Sequence, residues 1–269
     1  MILTIRHETI YHYSRPLAYT IQQLHLMPRI EPQQRALSWH INTPGQCHAY
    51  TDAYGNLSHM LTINGKHQAL GLVVHGVVET IYPYQGRLNL VDTLSPLLFT
   101  MPTRLTEADP TIVELAATSL PDRGTPATTR HLLHLAESIV GKVAYESGAT
   151  EVTTSAIAAL ALGRGVCQDH AHLYLACCHA WGIPARYVSG YIDPGTSGHA
   201  ASHAWVDAWV VDSDFAGWVS IDVTHARLMT DAYCRLAIGR DYDSAAPVRG
   251  VRQGGGKETM SVDVQIVPT

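Results

Sequence analysis

The chain reads as an α+β protein: a β-rich opening of about a hundred residues, then helices, then a second run of strands. Three observations predict this. Near the start, Leu3, Ile5, His7, Thr9, Tyr11 and Tyr13 alternate with Thr4, Arg6, Glu8 and His12, the period of a half-buried strand. Between residues 110 and 180 the apolar positions change to helical spacing, in Leu132, Ala136, Ile139, Val140 and Val143 and again in Cys167, Ala171, Tyr174, Leu175 and Cys178. Strand-like runs then return at 185–192, 204–211 and 218–223. The expected division is residues 1–100 as a β-rich N-terminal domain and 101–269 as the core with a C-terminal strand segment.

Taken in order, Pro44-Gly45, Tyr54-Gly55-Asn56 and Asn64-Gly65 are turn signals, and the last predicts a hairpin. Leu72 to Val78 is β-branched enough for a strand. Asp109-Pro110 predicts an N-cap and first helical position for a helix over 111–118. Thr153 or Thr154 caps a short helix carrying Ala156, Ile157, Leu160 and Ala161. A core helix begins at Cys167 and stops at Gly182 and Pro184. The polar segment 212–217 is the loop between two strands, and Met260, Val262, Val264 and Ile266 alternate in a last strand reached through Gly254-Gly255-Gly256.

With 46% apolar and 15% charged residues, 269 residues fold around a sizeable core. A net charge of −5 leaves no basic footprint for nucleic acid. No apolar run reaches the length of a membrane span, and the first residues lack a basic, then apolar, leader pattern; both predict a cytoplasmic protein with no membrane partner. The five cysteines (Cys47, Cys167, Cys177, Cys178, Cys234) are odd in number and irregularly spaced, which argues against a disulfide framework.

Cys167 differs from the other four by standing where a helix begins. Unpaired N–H groups and the positive end of the helix dipole meet there, and both stabilise a thiolate. Gly163 and Gly165 allow a sharp turn and close backbone approach to a ligand just before it. Downstream, His203 starts one strand and Asp222 ends the next, so cysteine, histidine and aspartate supply a nucleophile, a base and a group to orient the base. Asp207 lies on the same strand face as His203 but roughly 13 Å along it, too far to serve. Asp222 comes opposite His203 if the paired strands turn at Asp212-Ser213. The bland alternatives are a buried core cysteine and a turn-closing aspartate. A metal site is a competing use of the histidines: His199 and His203 have the spacing of helical zinc ligands, without the intervening glutamate and outside a helix.

The run Gly163-Arg-Gly-Val-Cys167-Gln-Asp-His-Ala-His172, followed by Gly182-Ile-Pro-Ala-Arg-Tyr-Val-Ser-Gly-Tyr191, resembles the core of the bacterial transglutaminase-like family. His203-Ala-Trp-Val and Gly217-Trp-Val-Ser-Ile-Asp222 resemble that family's histidine and aspartate blocks. Gly239-Arg-Asp-Tyr242 and Ala246-Pro-Val-Arg-Gly250 are similar to its C-terminal continuation. Leu26-Met-Pro-Arg29 and Asp52-Ala-Tyr-Gly-Asn56 are similar to its β-rich N-terminal region. One departure stands out: Asp222-Val223-Thr224 replaces the usual Asp-Pro-Thr, which loosens the turn but keeps the carboxylate.

The resemblance implies a papain-like core, a helix bearing the cysteine on an antiparallel sheet bearing histidine and aspartate. It implies a catalytic triad of Cys167, His203 and Asp222, with no cofactor and no resident metal. Its activity would be that of a cysteine peptidase or amidase on a peptide or protein amide, hydrolysis being favoured over acyl transfer to an amine. The Cys167 N–H is expected as an oxyanion donor, with Gln168 and Tyr191 as candidates for a second. Arg186, Tyr187, Tyr191, Trp205 and Trp209 are expected near the cleft or in the core, and Arg240-Asp241-Tyr242 as an internal clamp. A protein-crosslinking transglutaminase, a non-catalytic peptide-binding module on the same fold, and a zinc enzyme using His199 and His203 are the alternatives.

Overall fold

A computed structural model of the chain describes residues 1–89, 94–193, 195 and 201–268. It begins with strands β1 (Ile2–Leu24), β2 (Gln34–Asn42), β3 (Gln46–Thr51) and β4 (Leu57–Thr80). Helices α1 (Pro110–Ser119) and α2 (Thr129–Val140), strand β5 (Ala144–Tyr145), helix α3 (Ala156–Leu162) and strand β6 (Arg164–Gly165) follow. Next come α4 (Cys167–Ala180), β7 (Ala185–Ile192), β8 (Ala201–Val211), β9 (Ala216–Asp222), β10 (Arg227–Leu228) and β11 (Tyr233–Gly239). The chain closes with α5 (Tyr242–Ala245), β12 (Val248–Gly254) and β13 (Glu258–Pro268).

The first sheet is built on β1 and β4, two strands of 23 and 24 residues paired antiparallel. The alternation at the N-terminus has its expected result: Leu3, Ile5, His7, Thr9 and Tyr13 are buried. Asn64-Gly65 does not turn the chain. Gly65 and Lys66 together stand opposite Ala18, because Tyr19 pairs with Asn64 and Leu17 with His67. Gly65, at φ +98°, therefore makes a bulge, and β4 runs on as one bent strand. The local signal was a positive-φ glycine; only the partner strand decided that it was a bulge rather than a hairpin.

The C-terminal strands are not part of the core. β13 pairs with the first half of β1 and β12 with the second half, so residues 248–268 complete the N-terminal sheet. The expected division also changes at the other end. Leu88 and Phe99, within the segment assigned to the β-rich domain, pack on the core sheet against Val188, Trp205 and Trp218.

The core sheet has the order β10-β9-β8-β7-β11 and is antiparallel. One face, with Ala185, Tyr187, Ala204, Val206, Ala208, Val210, Val219 and Ile221, packs on α1, α2 and α4. On the other, Val188, Trp205 and Trp218 meet Leu88 and Phe99, while Tyr191, Cys234 and Leu236 at the end of β7 and β11 meet Leu3, Ile5, Val264 and Ile266 of the first sheet. With both faces covered, every residue of β7 and β11 is buried. A buried ion network crosses this junction. Arg235 Nε donates to Glu31 (2.7 Å), its Nη atoms donate to Asp207 (2.9 and 2.7 Å), and Arg186 Nε donates to Asp207 (2.9 Å). That explains Asp207, which the strand spacing had excluded from the site.

The helices start largely as their caps dictate. Asp109 accepts the Ile112 N–H, with Pro110 at the first position. The α3 cap is Ser155, one residue beyond the expected threonines, and its hydroxyl accepts the Ala158 N–H. α4 is more deeply embedded than its apolar stripe predicts: residues 168–179 are all buried. Its polar side chains are accordingly tied down. His170 and His179 each bond a carbonyl, of Val143 and Ala185, and His172 Nε2 accepts the Tyr242 N–H. With Arg240 bonded to the carbonyls of Met101 and Pro102, this makes the 240–242 segment the expected clamp.

Candidate active site

Cys167 is the first residue of α4 and is half-buried, whereas Cys177, Cys178 and Cys234 are buried. Cys47, also half-buried, lies on β3 in the other sheet. Asp169 shapes the entry to the helix: its Oδ2 accepts the Val166 N–H (2.8 Å) and the Thr150 hydroxyl (2.6 Å). The two glycines serve this entry and not a ligand. Gly163 takes the left-handed conformation that ends α3, and a Cβ on Gly165 would lie 2.8 Å from Asp169 Cβ. The Cys167 N–H, in the first helical turn, has no acceptor among the described residues and is free to face an oxyanion.

The two side chains considered as second oxyanion donors are engaged elsewhere. Gln168 Nε2 donates to the Val152 carbonyl (3.1 Å). The Tyr191 hydroxyl bonds His7 (2.7 Å) between the two sheets. Arg186 belongs to the ion network, Trp209 packs on Trp218, and Tyr187 packs beside His172 and Tyr242.

His203 Nε2 donates to Asp222 Oδ2 (2.9 Å), which leaves Nδ1 for the Cys167 thiol, near enough to help raise His203. The pairing differs from the expected register. Val206 pairs with Ile221 and Val211 with Ala216, and the Asp212 N–H bonds the Phe215 carbonyl, so Ser213-Asp214 forms the tip. Asp222 is then a diagonal neighbour of His203, displaced by two residues from the opposite position. A shift of two keeps each side chain on its own face, so the contact survives the slip.

Asp222 is fully buried and collects four donors. His203 Nε2, His225 Nδ1 (2.7 Å) and the Tyr233 hydroxyl (2.6 Å) all reach Oδ2, and the His225 backbone N–H reaches Oδ1 (3.2 Å). Burial alone would raise this carboxyl, but the two histidines outweigh it and hold Asp222 well below the usual carboxylate range. His203 shows the converse balance. Burial lowers it, yet its bonds to Asp222 and Cys167 and their charges push it up to about 10. Burial and the Asp222 charge raise Tyr233, keeping it protonated as a donor, while Arg227 Nε donates to its oxygen (3.0 Å).

Other residues hold the arrangement. Trp205 stacks on His203, and its Nε1 donates to Ser220 Oγ, which also receives Arg235. A hydrogen-bond chain thus runs from Glu31 in the N-terminal unit to the indole beneath His203. His170 joins Cys167's helix to the aspartate's turn. Its Nε2 donates to the Val143 carbonyl, so its Nδ1 accepts the hydroxyl of Thr224 (3.0 Å). Tyr233, His225 and His170 were not found from sequence. Only His225 left a signal there, as a residue three after Asp222 able to close a turn on it.

Ligand atoms of His203, Asp222 and His225 lie within 4.8 Å of one another. Both ring nitrogens already aim at Asp222 Oδ2 beside a third donor, an arrangement of hydrogen bonds around a carboxylate and not of ligands around a cation. His199, the other proposed zinc ligand, lies outside the described residues. Among the described residues no helix is long and apolar enough to cross a membrane.

Fold and site together define a transglutaminase-like α+β protein with a thiol, an imidazole and a carboxylate in series. Residues 3–79 match the bacterial transglutaminase-like N-terminal region, and residues 117–223 match the transglutaminase-like superfamily. The two matches fall in one chain, the first on the N-terminal sheet and the second on the segment that carries Cys167, His203 and Asp222. It is 29% identical over 277 residues to an uncharacterized protein of Mycobacterium leprae, covering 98% of each chain. It is 29% identical over 291 residues to an uncharacterized protein of Mycobacterium tuberculosis, covering 98% of this chain and 92% of the relative. Its fold is similar to that of a candidate cysteine protease from Cytophaga hutchinsonii, with a TM-score of 0.77 and 22% identity over 100% of this chain and 91% of the other.

Proposed function

We propose that this protein hydrolyses an amide bond of a peptide or protein through a Cys167 thioester. The observation that carries the reading is His203, bonded through Nε2 to buried, ionised Asp222 and raised by the neighbouring Cys167 at the head of α4. In the first half-reaction the Cys167 thiolate attacks the carbonyl carbon. The oxyanion that forms faces the Cys167 N–H at the helix start. As it collapses, the C–N bond breaks and the His203 imidazolium passes its Nδ1 proton to the leaving amine. In the second half-reaction His203 takes a proton from water, the hydroxide adds to the thioester, and the acid leaves with Cys167 restored. Asp222 stays ionised throughout, fixing the tautomer and stabilising the imidazolium.

Hydrolysis is favoured over transfer because water at roughly 55 M outcompetes an amine unless a second site concentrates that amine and excludes water. The test is turnover of a peptide-amide library by wild type and by Cys167→Ala, with folding followed by circular dichroism. Wild-type turnover that is absent in a folded alanine variant is expected. A folded alanine variant that still turns over would overturn the assignment. Tight peptide binding without turnover by either form would establish the binding-module reading.

A further inference from the structure

We propose that His225 is a positioning residue that acts through Asp222: it takes a share of the carboxylate's charge and so limits how firmly His203 is held as imidazolium. The proposal deepens the thiol-enzyme reading and rests on it. The geometry is specific. His225 reaches Asp222 twice, with its ring Nδ1 on Oδ2 (2.7 Å) and its backbone N–H on Oδ1 (3.2 Å). Its ring centroid is 5.5 Å from that of His203. An ionised carboxylate only accepts, so Nδ1 carries a proton. Nε2 has no hydrogen-bond partner among the described residues, on a side chain that is 47% exposed.

Three side-chain donors therefore converge on one oxygen. Each of them stabilises the negative charge and weakens the pull that the oxygen exerts on the other two. His225 contacts Asp222 on β9 and His203 on β8; around them Tyr233 on β11 shares Asp222 Oδ2, Arg227 on β10 donates to Tyr233, and His170 on α4 bonds Thr224 in the same turn. Without the His225 ring, Asp222 remains anchored by the Tyr233 hydroxyl, by the backbone N–H of residue 225 and by His203 itself. The carboxylate keeps its place and concentrates its charge on the bonds that remain. The His203 imidazolium then persists to higher pH and becomes a weaker acid toward the leaving amine.

The experiment measures iodoacetamide alkylation of Cys167 across pH, by peptide mass spectrometry, in full-length wild type and in three variants. In His225→Asn the amide nitrogen stands at the same place along the side chain as Nδ1 and donates without being able to titrate. In His225→Gln it stands one bond too far out. His225→Ala removes the donor. The wild-type upper inflection, where His203 loses its proton, is expected to move up by at least about half a pH unit in the alanine and glutamine variants. It returns to the wild-type position in His225→Asn. An unmoved inflection in folded His225→Ala or His225→Gln, or a move to lower pH, overturns the proposal. Absence of any His203-dependent inflection in wild type defeats the thiol-enzyme reading, and the proposal with it.

Discussion

Asp222→Asn isolates what the buried charge does, because it keeps the shape of the side chain. Bonds and charge interactions with Asp222 and Cys167 push His203 from 6.5 up to about 10, against its burial. At roughly 1.4 kcal/mol per pH unit the net preference for the imidazolium is about 5 kcal/mol. It belongs to the coupled Cys–His–Asp group and not to one pair. A carboxamide there cannot satisfy all four donors. If its oxygen takes the Oδ2 position, its NH2 opposes the His225 backbone N–H; if its NH2 does, it opposes three donors. With burial unchanged, losing the charge removes on the order of 3 kcal/mol of that preference, or roughly a hundredfold in ion-pair population. Turnover falls further, by about 10³–10⁴, because the wrong imidazole tautomer becomes accessible.

The assay is the rate of Cys167 alkylation at pH 6, where a free thiol reacts slowly, with turnover measured alongside. The same coupling affects stability. A folded-state value raised above the unfolded one stabilises fully below pH 6.5, and that contribution is lost as pH rises through about 10. Wild type should therefore weaken in urea between pH 7 and 10, and Asp222→Asn should lack most of that decline. Equal alkylation rates at pH 6 and parallel stability curves in the two proteins would refute the electrostatic argument.

Three further outcomes follow from the same geometry. Arg235→Met leaves Glu31 and Asp207 buried with fewer partners, and should cost about 3–5 kcal/mol in urea unfolding; a loss under 1 kcal/mol would mean the network is dispensable. Gly165→Ala drives a methyl into Asp169 and displaces the carboxylate from the entry of α4, costing about 1–3 kcal/mol and slowing Cys167 alkylation; full stability with normal labelling would contradict that placement. His7, His172 and His179 are held down to about 4 by burial, so they fold neutral and bind protons only on unfolding. Stability present above pH 6.5 should be lost as pH falls toward 4, with net proton uptake on unfolding approaching three from these groups. A flat stability curve between pH 7 and 5 is the contrary result.

The division of labour between sequence and structure is visible residue by residue. Local chemistry determined where elements start and which faces they bury: Asp109-Pro110 at α1, Cys167 at the head of α4, the alternation of β1. Those signals act within a few residues, through caps, periodicity and φ preference, and so can be read in one dimension. The histidine and the aspartate were legible too, because a pairing error of two residues preserves their common face. What lay beyond reach depended on partners far along the chain. The C-terminal strands joined β1 more than two hundred residues earlier, since only an open edge of that sheet could bury Val264 and Ile266 and satisfy their backbone groups. Gly65 became a bulge because Ala18 stood opposite it. Tyr233 and His225 meet at Asp222 because β9, β10 and β11 place two strand ends and one turn position around a single buried carboxylate. A charge withdrawn from water must collect donors wherever the fold can bring them, and that requirement is settled only when the sheets have closed.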